Sequence, residues 1–277
     1  MLENIPLFRE ALYGALIIAL GCSVIGVYVV LRRIVFVGAA LAELSSAGIA
    51  LAIWMTGMGI VTGLASHPLA FSLLVTLVGA AIFGLGGGGR ALVPHDATIG
   101  AAYVLAGAAA ILLIAKSTTG EAHDIFLHGN ILGITRHDTM VLAAVALPVL
   151  LLHIIFFKEF LFVSFDRETA RTLGYRIGLW NQLLYFTLGL VIAVSMQFAG
   201  VMLVFDFLVV PAVTGLILSR TMRGLFAWSV SSALLAALIG FSMSIPFDLP
   251  TGPTIIAASG LIALLAWIAR RTIARVH

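Results

Sequence analysis

The chain has 277 residues, of which 62% are hydrophobic and only 10% charged, with a mean hydropathy of +1.17. Soluble domains carry about a quarter charged residues, so this composition excludes a water-covered globule and leaves a lipid-solvated helical bundle. Fifteen basic against twelve acidic residues leave a net charge of +3. The basic residues sit between apolar stretches, where they set membrane topology and give no nucleic-acid surface.

Nine apolar stretches are long enough to cross a hydrocarbon layer of about 30 Å. They run over 11–31, 34–56, 69–86, 97–115, 140–157, 181–198, 200–219, 224–244 and 252–269. All-round apolarity excludes surface amphipathic helices, and the alternation of a membrane barrel is missing. The expected fold is one all-α polytopic bundle over 1–277 with about nine transmembrane helices. The first stretch lacks a signal peptide's basic start and cleavage site and reads as a retained helix. It contains Cys22, the single cysteine, so no intrachain disulfide forms.

The second stretch carries Glu43 in its middle, with no opposite charge near it in sequence. A charge at mid-bilayer costs about 2.5–3.5 kcal/mol on insertion scales, so Glu43 is expected to face the bundle interior or water. Its two readings are an ion-path station and a protonated acid bonded to a neighbouring helix. After the third stretch comes Gly84-Leu85-Gly86-Gly87-Gly88-Gly89-Arg90. It lacks the Lys-Ser/Thr of a phosphate loop and follows a helix instead of a strand, so it reads as a turn and the chain has no nucleotide site of its own.

Beyond the fourth stretch, Asp124 and His128 stand four apart. On a helix they share a face, and that pair suits zinc or manganese; a solvated rim or partner-docking surface is the alternative. His153 in the fifth stretch reads as a hydrogen-bonded core residue. The following polar segment, about 164–176, reads as a short helix that Asp166 caps and Gly174 ends. It is either a surface connector or a lever for a partner below the membrane.

The sixth and seventh stretches are pinched together at Gln197, Phe198, Ala199 and Gly200, and a short re-entrant pair is an alternative to two crossings. Asp206 interrupts the seventh, and Pro211 is expected to kink it and free a carbonyl. At about 1.5 Å per residue, Glu43 and Asp206 differ in height by roughly 8 Å, which favours two successive stations over one shared site. Structural pairing with Glu43 or a Ser is the rival role for Asp206. Twelve of the fifteen basic residues fall on one side if the N-terminus is outside, so the C-terminus is expected in the cytoplasm.

Several segments together resemble the permeases of zinc, manganese and iron ABC importers. Leu31-Arg32-Arg33 and the Gly38 to Gly48 segment are similar to that family's first inner turn and second helix. Asp96-Ala97-Thr98-Ile99-Gly100 looks like its motif before the fourth helix, and Gly129-Asn130-Ile131-Leu132 like its outer-loop motif. Val163 through Gly174 resembles its coupling helix, with Asp166, Arg167, Glu168, Arg171 and Gly174 as the docking residues. Gly200 to Val204 with Pro211-Ala212, and Asp248-Leu249-Pro250-Thr251-Gly252, complete the pattern in order.

The resemblance implies a permease subunit with no catalytic residues and no bound cofactor, importing a divalent metal ion as substrate. Its implied partners are a cytosolic ABC ATPase, a second permease copy (a homodimer), an extracytoplasmic metal-binding protein and membrane lipid. Its implied location is the inner membrane of a bacterial or archaeal cell. Where the family pattern has Asp and then His in the second helix, this chain has Ala39 and Glu43; the family's Thr before the proline is Val210, and Asp206 stands at a usually small position. Two carboxylates are harder ligands than a carboxylate with imidazole, which tilts the expected metal toward manganese or iron. A proton- or sodium-coupled secondary transporter would use the same acids without an ATPase. An intramembrane hydrolase would need paired histidines on one helix, and none occur.

Overall fold

The computed structural model describes residues 5–60, 67–86, 93–117 and 131–276, with side chains omitted for 5–7, 167 and 273–276. Ten α-helices occupy these residues: α1 (Ile5–Leu31), α2 (Val35–Gly57), α3 (Pro68–Leu85), α4 (His95–Ala115), α5 (Arg136–Ile155), α6 (Phe157–Phe165), α7 (Arg167–Thr172), α8 (Ile177–Leu218), α9 (Met222–Ser244) and α10 (Thr251–Val276), with one 3-10 turn at Ile131–Gly133. Eight of the ten helices are long and apolar enough to cross a membrane. Among the described residues there is no strand. The expected all-α polytopic bundle is therefore the fold.

The expected sixth and seventh stretches belong to one element, α8, of 42 residues. At about 1.5 Å per residue a straight helix of that length would exceed 60 Å, twice a bilayer core. It is broken at Gly200, whose φ of 74° and ψ of 168° lie where only glycine goes without strain. Its neighbours show that the chain reverses there. Asn181 meets Arg32 and Leu184 packs with Tyr28 at one end of α1. Ser195 lies further along α1, against Cys22. Ala212 is then back beside Val27. Two antiparallel arms of roughly 34 and 27 Å result, each about the length of a crossing, not a short re-entrant loop.

The kink expected at Pro211 is not where the backbone leaves helical geometry; within α8 only Gly200 does. Reversal requires a positive φ, which glycine supplies and proline, fixed near −65°, does not. α1 begins earlier than the apolar pattern indicated, because Ile5 to Glu10 are helical while still partly polar.

The core joins α1, α2, α3 and both arms of α8. Its largest fully buried side chains include Tyr28, Leu41, Phe207 and Leu208. α4 stands at the edge and packs chiefly on α2, through Ala50, Ala110 and Ile114. Connectivity places the Arg32–Arg33 turn, His95–Asp96, α6 to α7 and the α8–α9 turn at one end of the bundle. Arg270 returns α10 to that end by donating from Nη1 to the Leu216 and Ile217 carbonyls. This is the basic end.

Candidate ion path and coupling segment

Glu43 projects from the middle of α2 toward α4 and is half-buried. A Cβ added at Gly107 would come within 3.2 Å of its Oε2, so the absence of a side chain there is what gives the carboxylate room. Gly107 lies in the run Ala106-Gly107-Ala108-Ala109-Ala110. Such a small-residue run in an apolar helix marks close approach of a neighbour; this was the signal by which Gly107 could have been found. The Glu43 carboxylate lies between α2 and α4, and α4 stands at the edge of the bundle, packed chiefly on α2.

Asp206 sits on the second arm of α8 and is only 5% exposed. Ser259 of α10 lies beside its carboxyl, while Oδ2 has no hydrogen-bond partner. Of the two groups anticipated near Asp206, the serine is the one beside it. Glu43 faces α4 and Asp206 faces α10, and no hydrogen bond or ion pair joins them among the described residues. Nor do the described residues hold a cluster of three or more His, Cys, Asp or Glu side chains. The Asp124 and His128 pair lies outside the described residues.

Between these acids the interior contains hydroxyls the sequence reading passed over. Ser45 Oγ of α2 and Ser72 Oγ of α3 are 2.7 Å apart, and Ser72 donates to the Ala193 carbonyl at 3.3 Å. Serines in apolar helices commonly bond across to a neighbour in this way. His153 fulfils its core reading. Nδ1 donates to the Val149 carbonyl at 2.9 Å, and the ring stacks on Phe160 at 4.3 Å between centroids.

At the basic end a cavity of about 460 Å³ is lined by Arg32, Arg33, His95, Asp96, Ser164 and Asn181, among others. Three sequence motifs that are far apart in the chain therefore converge on one space. Arg32 crosses it. Its Nε donates to Ser164 Oγ at 2.8 Å and its Nη1 to Asn181 Oδ1 at 2.7 Å. Asn181 Nδ2 in turn donates to the Gly84 carbonyl at 2.9 Å. One guanidinium thus ties α1 to the end of α6 and to α8, and through Asn181 to α3. Arginine suits this role because its planar fork presents several fixed donors.

The polar segment adjoining this cavity forms as expected. Asp166 is the N-cap of α7, accepting from the Thr169 amide at 2.9 Å and from the Thr169 hydroxyl. These bonds hold its carboxyl below its ordinary value of 3.8, the hydroxyl bond contributing most. Gly174 follows with a φ of 85°, a left-handed residue beyond the helix end. Ala170 is buried and anchors the helix, while Glu168 and Arg171 are exposed. Phe165 and Leu173 flank it at 69% and 63% exposed. The Arg167 side chain lies outside the described set.

Residues 4–270 match the model of the ABC 3 transport family. The chain is 28% identical to the manganese import system permease protein ScaB of Streptococcus gordonii, over 96% of this chain and 92% of that protein. It is also 28% identical to the manganese transport system membrane protein MntC of Listeria innocua, over 94% of this chain and 89% of the relative. In fold it is similar to the solved PsaBC structure from Streptococcus pneumoniae in complex with Fab, with a TM-score of 0.82, 24% identity, and coverage of 96% of this chain and 94% of that one. The matched residues include every helix able to cross a membrane, the basic-end cavity and the capped α7 segment. The chain is a multi-pass membrane protein and belongs to the ABC 3 transport family.

Proposed function

We propose that this chain is the membrane-spanning permease subunit of an ATP-driven importer of divalent metal ions, with manganese as the first substrate to test and iron or zinc as the others. The observation that carries this reading is mechanical. The segment around α7 offers exposed Phe165 and Leu173 beside a capped helix, and Ser164 within it is hydrogen-bonded to Arg32. A push on α7 therefore reaches α1 and α8, and through Asn181 α3, with few soft joints between. The energy would come from a cytosolic ABC ATPase docking on residues 164–176, which places the basic end and the C-terminus in the cytoplasm. That orientation agrees with the positive-inside rule.

The acids supply the chemistry of passage. A buried carboxylate oxygen without a partner costs free energy that a passing cation offsets. Glu43 and Asp206 present oxygen ligands, the hard donors that suit manganese better than a thiolate or imidazole set would. Glu43 lies against α4, which stands at the bundle edge and packs chiefly on α2, so the remaining wall of its path is assigned to a second copy of the permease. The cation would arrive from an extracytoplasmic metal-binding protein, and Asp124 with His128 is assigned to that entrance. The membrane is the inner membrane of a bacterial or archaeal cell. Manganese in the names of two relatives supports the substrate class.

The test is purification of the permease with the ATPase that co-elutes, followed by hydrolysis and uptake assays with manganese, iron and zinc in turn. Hydrolysis stimulated by one of these ions, with uptake of the same ion, is the expected result. Equal hydrolysis with and without every ion, and no uptake, would overturn the reading.

A further inference from the structure

At the basic end, on the side away from α2 and α4, Ile217, Trp267, Arg270 and Arg271 line an open cavity of about 360 Å³. Its floor is apolar and its rim is cationic. Arg270 is held to the wall by its bonds to the Leu216 and Ile217 carbonyls. Arg271 lies over the face of Trp267, its guanidinium carbon 3.9 Å from the ring centroid. A guanidinium stacked in this way keeps its N–H donors around its edge, directed away from the ring. Neither arginine has an ion pair among the described residues.

The cavity also has a direction. Along α10, Leu261, Leu264, Leu265 and Ile268 are all exposed, and their spacing of three and four places a continuous apolar stripe on the helix face that ends at Arg271. This stripe lies within the apolar span Thr251–Thr272. A ligand that fits both parts carries an anionic group at one end and an alkyl chain at the other.

We propose that the Trp267–Arg270–Arg271 cavity is a binding site for an anionic glycerophospholipid, its phosphate held by Arg271 with Arg270 beside it and its acyl chain lying along Ile268 and Leu264. A tryptophan at the end of a membrane span sits at headgroup level, and basic pockets at that depth select anionic headgroups. The site is separate from the acids and from the α7 segment, so it stands or falls independently of the transport reading.

The permease with its ATPase is extracted from bilayers of mixed phosphatidylglycerol and phosphatidylcholine and the retained lipid is counted by native mass spectrometry. The wild-type complex is expected to keep phosphatidylglycerol over phosphatidylcholine. R271Q should lower that retention about fivefold, the factor expected of one arginine at an anionic surface. R223Q, which removes an exposed arginine from the same end, should leave retention unchanged. Free inorganic phosphate should not displace the lipid, because it cannot use the apolar stripe. Equal retention by R271Q and wild type overturns the proposal. So does equal loss in R223Q, which would mean diffuse charge, or displacement by free phosphate. Retention that appears only after the ATPase is stripped away also overturns it, by making the cavity a protein contact.

Discussion

Glu43 and Asp206 were both legible as costly residues, because an acid in an apolar run needs no structure to look out of place. What the sequence could not show was their company. Helical spacing says which residues share a face of one helix, but the partner helix is set by packing across the bundle. Gly107 lies far from Glu43 in the chain, and Ser259 lies far from Asp206. Glu43→Gln and Asp206→Asn keep shape and remove charge, so each should leave assembly intact and cut metal uptake about tenfold or more, as loss of a metal ligand's support commonly does; radioactive manganese uptake by the reconstituted complex checks this. Gly107→Val tests the geometry separately, since a branched side chain would displace the Glu43 carboxylate. Its expected phenotype is loss of uptake with normal expression of the protein. Asp166 gives a pH prediction. Its carboxyl is held below 3.8 in the folded chain, so its cap is fully present above that value and is lost as pH falls through the lowered folded value. Thr169→Val removes the hydroxyl bond and should move the Asp166 titration, followed by carboxyl NMR, back toward 3.8. An unchanged midpoint would mean that Thr169 does not set it.

Among the elements, the α7 segment was the best read. Its signals are local: an acid with a Thr three residues on, and a glycine where a left-handed turn is needed. α8 was read less well. The apolar pattern continues through Gly200, and hydropathy cannot distinguish two crossings from a shallow re-entrant pair. The sharpest reversal in the element comes from a positive φ at one glycine, while the more conspicuous Pro211 stays helical. Gly200→Ala should therefore destabilise the protein by about 1 kcal/mol or more, seen as a lower midpoint of thermal unfolding in detergent, whereas Pro211→Ala should not lower it by as much. At the basic end, Arg32→Gln shortens the reach to Ser164 and Asn181. The expected outcome is ATP hydrolysis that continues while metal transport falls, because the lever moves without its link. Gly174→Pro should give the same uncoupling from the other side, since a φ of 85° is closed to proline. Preserved coupling in both variants would remove this route of transmission.

For the whole molecule, composition alone excluded a soluble fold, and the number of apolar stretches anticipated the bundle, with two of them joined in α8. The arrangement of its parts follows from packing. α1, α2, α3 and α8 form the centre, and α4 is left at the edge with Glu43 beneath it. The arginines are gathered at one end with the cavity that Arg32 crosses. The account unites these features in one claim: buried carboxylates carry a divalent cation while a separate ATPase, pressing on α7, supplies the work. The most direct test is metal uptake into liposomes containing this permease, measured with and without its ATPase and with and without ATP. Uptake that requires both the ATPase and ATP is the predicted result. Uptake by the permease alone, without any nucleotide-hydrolysing partner, would contradict it.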